Sequence, residues 1–254
     1  MNFLHFIHIS VALTFFSVSV AFAGPLETCS EYTKYGVPGT DGDLLCRKGY
    51  LLAHDSYCLT PIWVAEHLTS QKASGTLTRK DGFKADPDLQ KGKRSELTDY
   101  EGSGYDRGHM APSGDMAWDA DAMNESFYLS NMVPQNPNMK QQIWKNLEDK
   151  IRQWAIDRGE LYIYTGPIYD ADEVDTIGDD QVCVPTRIYK IVFDPTRVDA
   201  IAFIMPNEPM NTSDLPNYIV TIHDVEKQTG LDFLNSLNKT VEDDVETKIA
   251  EGLW

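Results

Sequence analysis

One segment limits what this chain can fold into. From Met139 to Arg158, the residues Ile143, Leu147, Ile151 and Trp154 recur at spacings of four, four and three, which is the period of one helix face. Gly159 follows as a helix stop. Around this helix lie β-rich runs at Trp63–Leu68, Leu161–Thr165, Ile188–Phe193 and Ala200–Met205, bounded by Pro, Gly or Asp, with a shorter one at residues 218–222. Strands that precede and follow one strong helix imply an α+β fold with a mainly antiparallel central sheet flanked by helices. Residues 24–60, rich in Gly, Pro and Tyr, read as irregular structure stapled by disulfide. Residues 70–104 read as a charged loop. Residues 223–237 read as a short helix interrupted by Gly230, followed by an acidic tail from Val241.

The N-terminus belongs to targeting. Phe3 to Ala23 is apolar and ends in Ala21-Phe22-Ala23, an A-x-A-type cleavage signal, although its n-region has no Lys or Arg. Residues 1–23 are therefore expected to be a signal peptide, with an uncleaved anchor as the competing reading. The expected destination is the periplasm or the medium, without stable membrane association after cleavage. Residues 24–254 suffice for a single domain. The mature part holds Cys29, Cys46, Cys58 and Cys183, an even number that favours two disulfides in an exported chain. Of the three connectivities, the short Cys29–Cys46 separation closes most easily and leaves Cys58–Cys183.

Chemistry concentrates in Asp106-Arg107-Gly108-His109. A His that can take a proton from water, beside a planar permanent cation, suits phosphodiester cleavage. In an extended chain Arg107 and His109 project to one side and Asp106 to the other. The net charge of −17 means that cations must be concentrated to meet phosphates. Arg79, Lys80, Lys84, Lys91, Lys93 and Arg94 form a local cluster that offers this, or else a solvated loop.

The same four residues resemble the signature of the DNA/RNA non-specific endonucleases, the ββα-metal nucleases that include endonuclease G. Four further blocks follow in that family's order. They are Leu129–Gln135 with Trp144–Glu148, Leu161–Tyr169, Val184–Lys190 and Ala200–Asn207. The resemblance runs from about Pro61 to Leu237 and implies a ββα-metal nuclease fold. It also implies hydrolysis of DNA and RNA with little sequence preference, leaving 5′-phosphate ends. His109 is then the general base, Arg107 holds the phosphate, and Glu148 supports the water shell of a divalent cation, Mg²⁺ or another such as Mn²⁺. Arg79 is the expected second cation, with Lys80 as its competitor. Asn131 is expected to be structural or to support the ligand residues from behind, with a turn-forming Asn as the alternative.

One position departs from that pattern. The family's metal-binding Asn lies eight residues before the helix Glu, where this chain has Lys140. An ammonium has no lone pair for a metal. Asn138 is the favoured replacement ligand, with Gln141 as an alternative. Lys140 standing in for the metal's charge, and a weakened enzyme, are the other readings. A non-catalytic nucleic-acid binder and a phosphodiesterase acting on smaller esters are the competing functions, and a homodimer is left open.

Overall fold

A computed structural model describes residues 23–170 and 174–254. The signal-peptide expectation, apart from Ala23, lies outside the described residues. The strands in chain order are β1 (Asp43–Cys46), β2 (Tyr50–Asp55), β3 (Thr60–Thr69), β4 (Asp106–His109), β5 (Met132–Gln135), β6 (Glu160–Ile168), β7 (Thr176–Ile177), β8 (Val182–Cys183), β9 (Arg187–Asp194), β10 (Asp199–Pro206) and β11 (Ile219–Val220). Seven of them form one antiparallel sheet in the order β1-β2-β3-β6-β9-β10-β11. β4 and β5 form a separate antiparallel pair, as do β7 and β8.

The sheet is covered on both faces, so its central strands are apolar on both. Along β6, Leu161 and Ile163 enter one core while Tyr162 and Tyr164 enter the other, as the two-residue period of a strand requires. The first core lies under the long helix and contains Ile143, Leu147, Ile151 and Trp154 together with Met110 from the end of β4. The second contains Trp63, Tyr189 and Phe193 from the sheet, with Val225, Phe233 and Val245 from the C-terminal region. Tyr162 and Tyr164 are therefore core residues.

The long helix begins at Pro137, two residues before the expected start at Met139. Asn136 caps it, accepting from the N–H groups of Asn138 and Met139, and Pro137 takes the first position. The Pro137–Met139 turn runs into a π-helical turn, Lys140–Trp144, and then into regular helix from Lys145 to Arg158. Gly159 ends it at φ 99°, in the half of conformational space that favours glycine.

Two stretches differ from expectation. Residues 24–60 contain β1 and β2 and are not wholly irregular. The alternate burial of Leu45 and the full burial of Tyr50, Leu51, Leu52 and Ala53 explain why they join the sheet. Residues 239–247 of the acidic tail form a helix, because Val245 supplies an anchor in the second core. The expected short helix is Ile222–Thr229, capped by a Thr221–Asp224 box and ended by Gly230 at φ 71°. That box accounts for the residues around His223, and His54 is a buried β2 residue bonded to the Lys93 carbonyl, so neither belongs to a site. No helix among the described residues is long and apolar enough to cross a membrane.

The disulfides are Cys29–Cys46 and Cys58–Cys183, with no free cysteine. They close loops of 17 and 125 residues. Loop entropy predicts a cost of about 3 kcal/mol for losing the first and about 5 kcal/mol for losing the second. Urea unfolding of the two paired Cys→Ser variants checks the order, and a larger loss for Cys29–Cys46 contradicts it.

Candidate active site

The site is built on the β4–β5 pair. Gly108 lies opposite Val133, and a Cβ at this glycine would collide with the Gln135 side chain, so the motif needs glycine for close approach. Beyond β4 the chain is pinned by Asn131, which is fully buried. Its amide donates to the carbonyls of Ala111 and Ser126, and its Oδ1 accepts the Ala111 N–H at 2.9 Å. This fixes the direction in which His109 projects, and it makes Asn131 structural, as expected.

His109 is 6 % exposed. Its ring sits 5.1 Å from Phe127, edge to face, and 5.5 Å from Phe83. Nε2 has no hydrogen-bond partner. Burial, and then the positive charges of Arg79 and Lys140, hold the imidazole well below the usual histidine range. The ring is therefore neutral at pH 7 and able to accept a proton.

The ring borders a cleft of about 400 Å³. Arg79, Asp106, Gln135, Lys140, Glu148 and Arg152 also line it, as do Gln141, Trp144, Lys145 and Asp149. The helix contributes Lys140, Gln141, Trp144, Lys145, Glu148, Asp149 and Arg152, a stripe of adjacent pairs repeating every four residues. Such a stripe is one face of a helix, and it borders the cleft while Ile143, Leu147 and Ile151 face the core. Sequence alone does not single out Gln135, Lys145 or Arg152. The repeat of the Trp144–Glu148 spacing was the signal available for Arg152. Gln135 carries only its place in the block after Leu129.

The expected residues separate into those brought together and those not. His109, Glu148 and Arg79 share the cleft. Arg107 and His109 both pack on Phe83, the Arg107 guanidinium lying 4.4 Å from that ring's centre, but Arg107 does not line the cleft. Asp106 was expected on the opposite side from His109, yet it borders the cleft, where its Oδ2 accepts from Lys140 at 3.3 Å and from Gln141 at 3.1 Å. Asn138 is not brought to the cleft. Its Oδ1 accepts the backbone N–H of Met210 at 3.0 Å, so the side chain ties the helix start to a loop and corrects the expectation that it binds metal. The cluster at residues 79–94 also disperses: Lys84 lies over Tyr128, and Arg94 turns inward to the carbonyls of Asp86 and Leu89.

Carboxyl groups line and back the cleft. Burial pushes Glu148 up to about 7. Glu66, on the site-facing side of β3, is raised well above the usual carboxylate range by burial and then by Asp115. Lys190, fully buried on β9, donates to Thr165 Oγ1 at 2.6 Å and lies over the Trp144 ring. Arg152 bonds Asp115 at 2.7 Å.

A divalent ion needs oxygen donors. The cleft offers the carboxylates of Glu148 and Asp106, the Gln141 amide, and Gln135 Oε1, which is buried without a partner. Among the described residues the cleft has no cluster of three His, Cys or carboxylate ligands. These donors fit an ion that keeps most of its waters, as Mg²⁺ does, and not one caged by protein.

The fold and this site define a DNA/RNA non-specific endonuclease. That family matches residues 29–240, and the chain belongs to it. It is a metal-dependent endonuclease. Nuclease C1 of Cunninghamella echinulata var. echinulata is 36% identical over 225 residues, spanning 81% of this chain and 88% of that protein. Mitochondrial endonuclease G of Homo sapiens is 32% identical over 221 residues, spanning 82% of this chain and 74% of that protein. A crystal structure of the EndoG/EndoGI complex contains a chain with a TM-score of 0.78 and 31% identity, covering 87% of this chain and 95% of that one.

The depressed histidine carries a stability consequence. The fold favours neutral His109, whose unfolded pKa is about 6.5. Its stabilisation is full above that pH and is lost as pH falls toward the lower folded value. Stability should thus fall below pH 6.5 more steeply in the wild type than in His109→Gln, which cannot titrate. Urea unfolding across pH 4–7, a range set by the ordinary histidine value of about 6.5, tests this, and parallel curves contradict it.

Proposed function

We propose that this chain is an exported nuclease that hydrolyses the phosphodiester bonds of DNA and RNA with little sequence preference, using Mg²⁺. The observation that carries the reading is the neutral imidazole of His109 at a cleft lined by Arg79, Lys140, Lys145 and Arg152. His109 takes a proton from water, and the resulting hydroxide oxygen attacks phosphorus. The P–O3′ bond breaks, leaving a 5′-phosphate and a 3′-hydroxyl once that oxygen is protonated. Arg79 and Lys140 attract the phosphoryl oxygens, Arg79 as the planar, permanently charged group.

Glu148, with Asp106 and Gln135 beside it, would hold the divalent ion through its waters. When bound, the ion polarises the phosphoryl group and steadies the leaving oxygen. Arg107 acts indirectly in this reading. Its guanidinium stacks on Phe83, and Phe83 packs on His109.

Export is supported by the A-x-A site before Gly24 and by the two disulfides, which suit an oxidising compartment. The acidity of the chain suits an enzyme that must release its products, because a net charge of −17 opposes retention of nucleic acid.

His109→Ala should reduce cleavage of both plasmid DNA and RNA by roughly a hundred- to ten-thousand-fold, the share that general acid–base catalysis supplies. Thermal unfolding at pH 7.5, a condition set about one unit above the ordinary histidine pKa, should show the variant folded. Gel assays and end-labelling of the products check rate and 5′-phosphate ends. Near-normal turnover by the variant overturns the assignment of the base.

A further inference from the structure

A second group of carboxylates lies apart from the cleft. Glu226 belongs to the Ile222–Thr229 helix, Glu246 to the Lys239–Thr247 helix, and Asp232 to the connection between them. One carboxylate oxygen from each lies within 4.8 Å of the other two. Glu246 is only 4 % exposed, and its Oε1 has no hydrogen-bond partner. Burying a carboxylate without a partner is costly, and placing two more beside it adds repulsion. Glu246 is accordingly pushed up to about 8 by burial and then by Glu226 and Glu242.

The nearby cations are committed elsewhere. Lys239 is exposed and pairs with Glu242 at 3.1 Å and Asp243 at 3.0 Å. His223 reaches Glu226 Oε2 only at 3.5 Å from an exposed position. Glu226 Oε1 accepts the Phe233 N–H at 2.9 Å, which fixes that carboxylate on the loop carrying Asp232. Asp232 is held in turn by its own N–H to the Pro38 carbonyl. The Glu226 carboxylate and the Asp232 backbone are thus positioned by backbone contacts, and Glu246 is held by its burial.

We propose that Glu226, Asp232 and Glu246 form a calcium site that fastens the two C-terminal helices and their connection to one another. Three carboxylates from three segments supply the hard oxygen donors and the negative charge that Ca²⁺ requires. Two oxygens on one calcium stand at most about 5 Å apart, which accommodates this spacing. Ca²⁺ tolerates irregular geometry and an exposed side completed by water, whereas Mg²⁺ demands near-octahedral ligands. The site is independent of the cleft. Val225 and Val245 on the two helices pack in the second core, across the sheet from the core beneath Trp144. The ion's role is therefore structural.

Thermal unfolding of the purified protein, with millimolar CaCl₂, MgCl₂ or EDTA, tests the proposal. Ligand linkage at about a hundredfold excess over Kd predicts a midpoint roughly 5–10 °C higher in calcium than in EDTA. Magnesium should give a small part of that rise. Glu246→Gln and Asp232→Asn should each abolish the calcium-dependent rise and keep the Mg²⁺ dependence of cleavage. Asp232 is exposed, so its variant folds even if the buried one does not. Glu148→Gln, in the cleft, should keep the calcium rise. Equal midpoints in calcium and EDTA overturn the proposal, as does a full rise in Asp232→Asn or its loss in Glu148→Gln.

Discussion

The active centre depends on burying an uncharged imidazole. His109 is held between Phe83 and Phe127 and faces Arg79 and Lys140. Low polarity and nearby cations both oppose its protonation, so a residue that ordinarily titrates near 6.5 is kept as a base. The surroundings serve that arrangement. Asn131 fixes the chain after β4, Gly108 lets Gln135 approach, and Arg107 stacks on Phe83. Asn207 joins the sheet side to the β4–β5 pair, donating to the carbonyls of Pro134 and Pro185.

Substrate charge meets a different device. A chain of net charge −17 cannot rely on its mean field to attract phosphates. Beside Arg79, it sets three cations of the cleft on one face of the long helix, where Lys140, Lys145 and Arg152 stand next to acidic partners. Asp106, Asp149 and Asp115 hold these cations in fixed positions, at 3.3 Å for Lys140 and 2.7 Å for the Arg152–Asp115 pair.

Much of this was legible in the chain. Hydrophobic period sets the long helix and the central strands, because both depend on local repeat. The motif's base and the helix carboxylate share a cleft because strand and helix geometry each fix a direction. What could not be read is what depends on contacts distant in sequence. Arg107 looks equivalent to His109 along the strand, and only Phe83 separates their roles. Asn138 looks like a spare metal ligand until Met210, 72 residues later, claims its oxygen. β1 and β2 were hidden by the Gly and Cys around them, although Tyr50–Ala53 is as apolar as any core strand.

Lys140 is the sharpest departure, because it puts a positive charge where the family has an amide donor. In this account the charge helps to hold substrate and keep His109 neutral, and the ion is held beside it through Glu148 and water. The direct measurement is cleavage rate against Mg²⁺ concentration for the wild type and for Lys140→Asn. The account predicts no cleavage by the wild type in excess EDTA, saturation by Mg²⁺, and a lower half-saturating Mg²⁺ concentration for Lys140→Asn. Full wild-type activity in EDTA, with Lys140→Asn inactive under all conditions, would contradict it and make the ammonium the replacement for the ion.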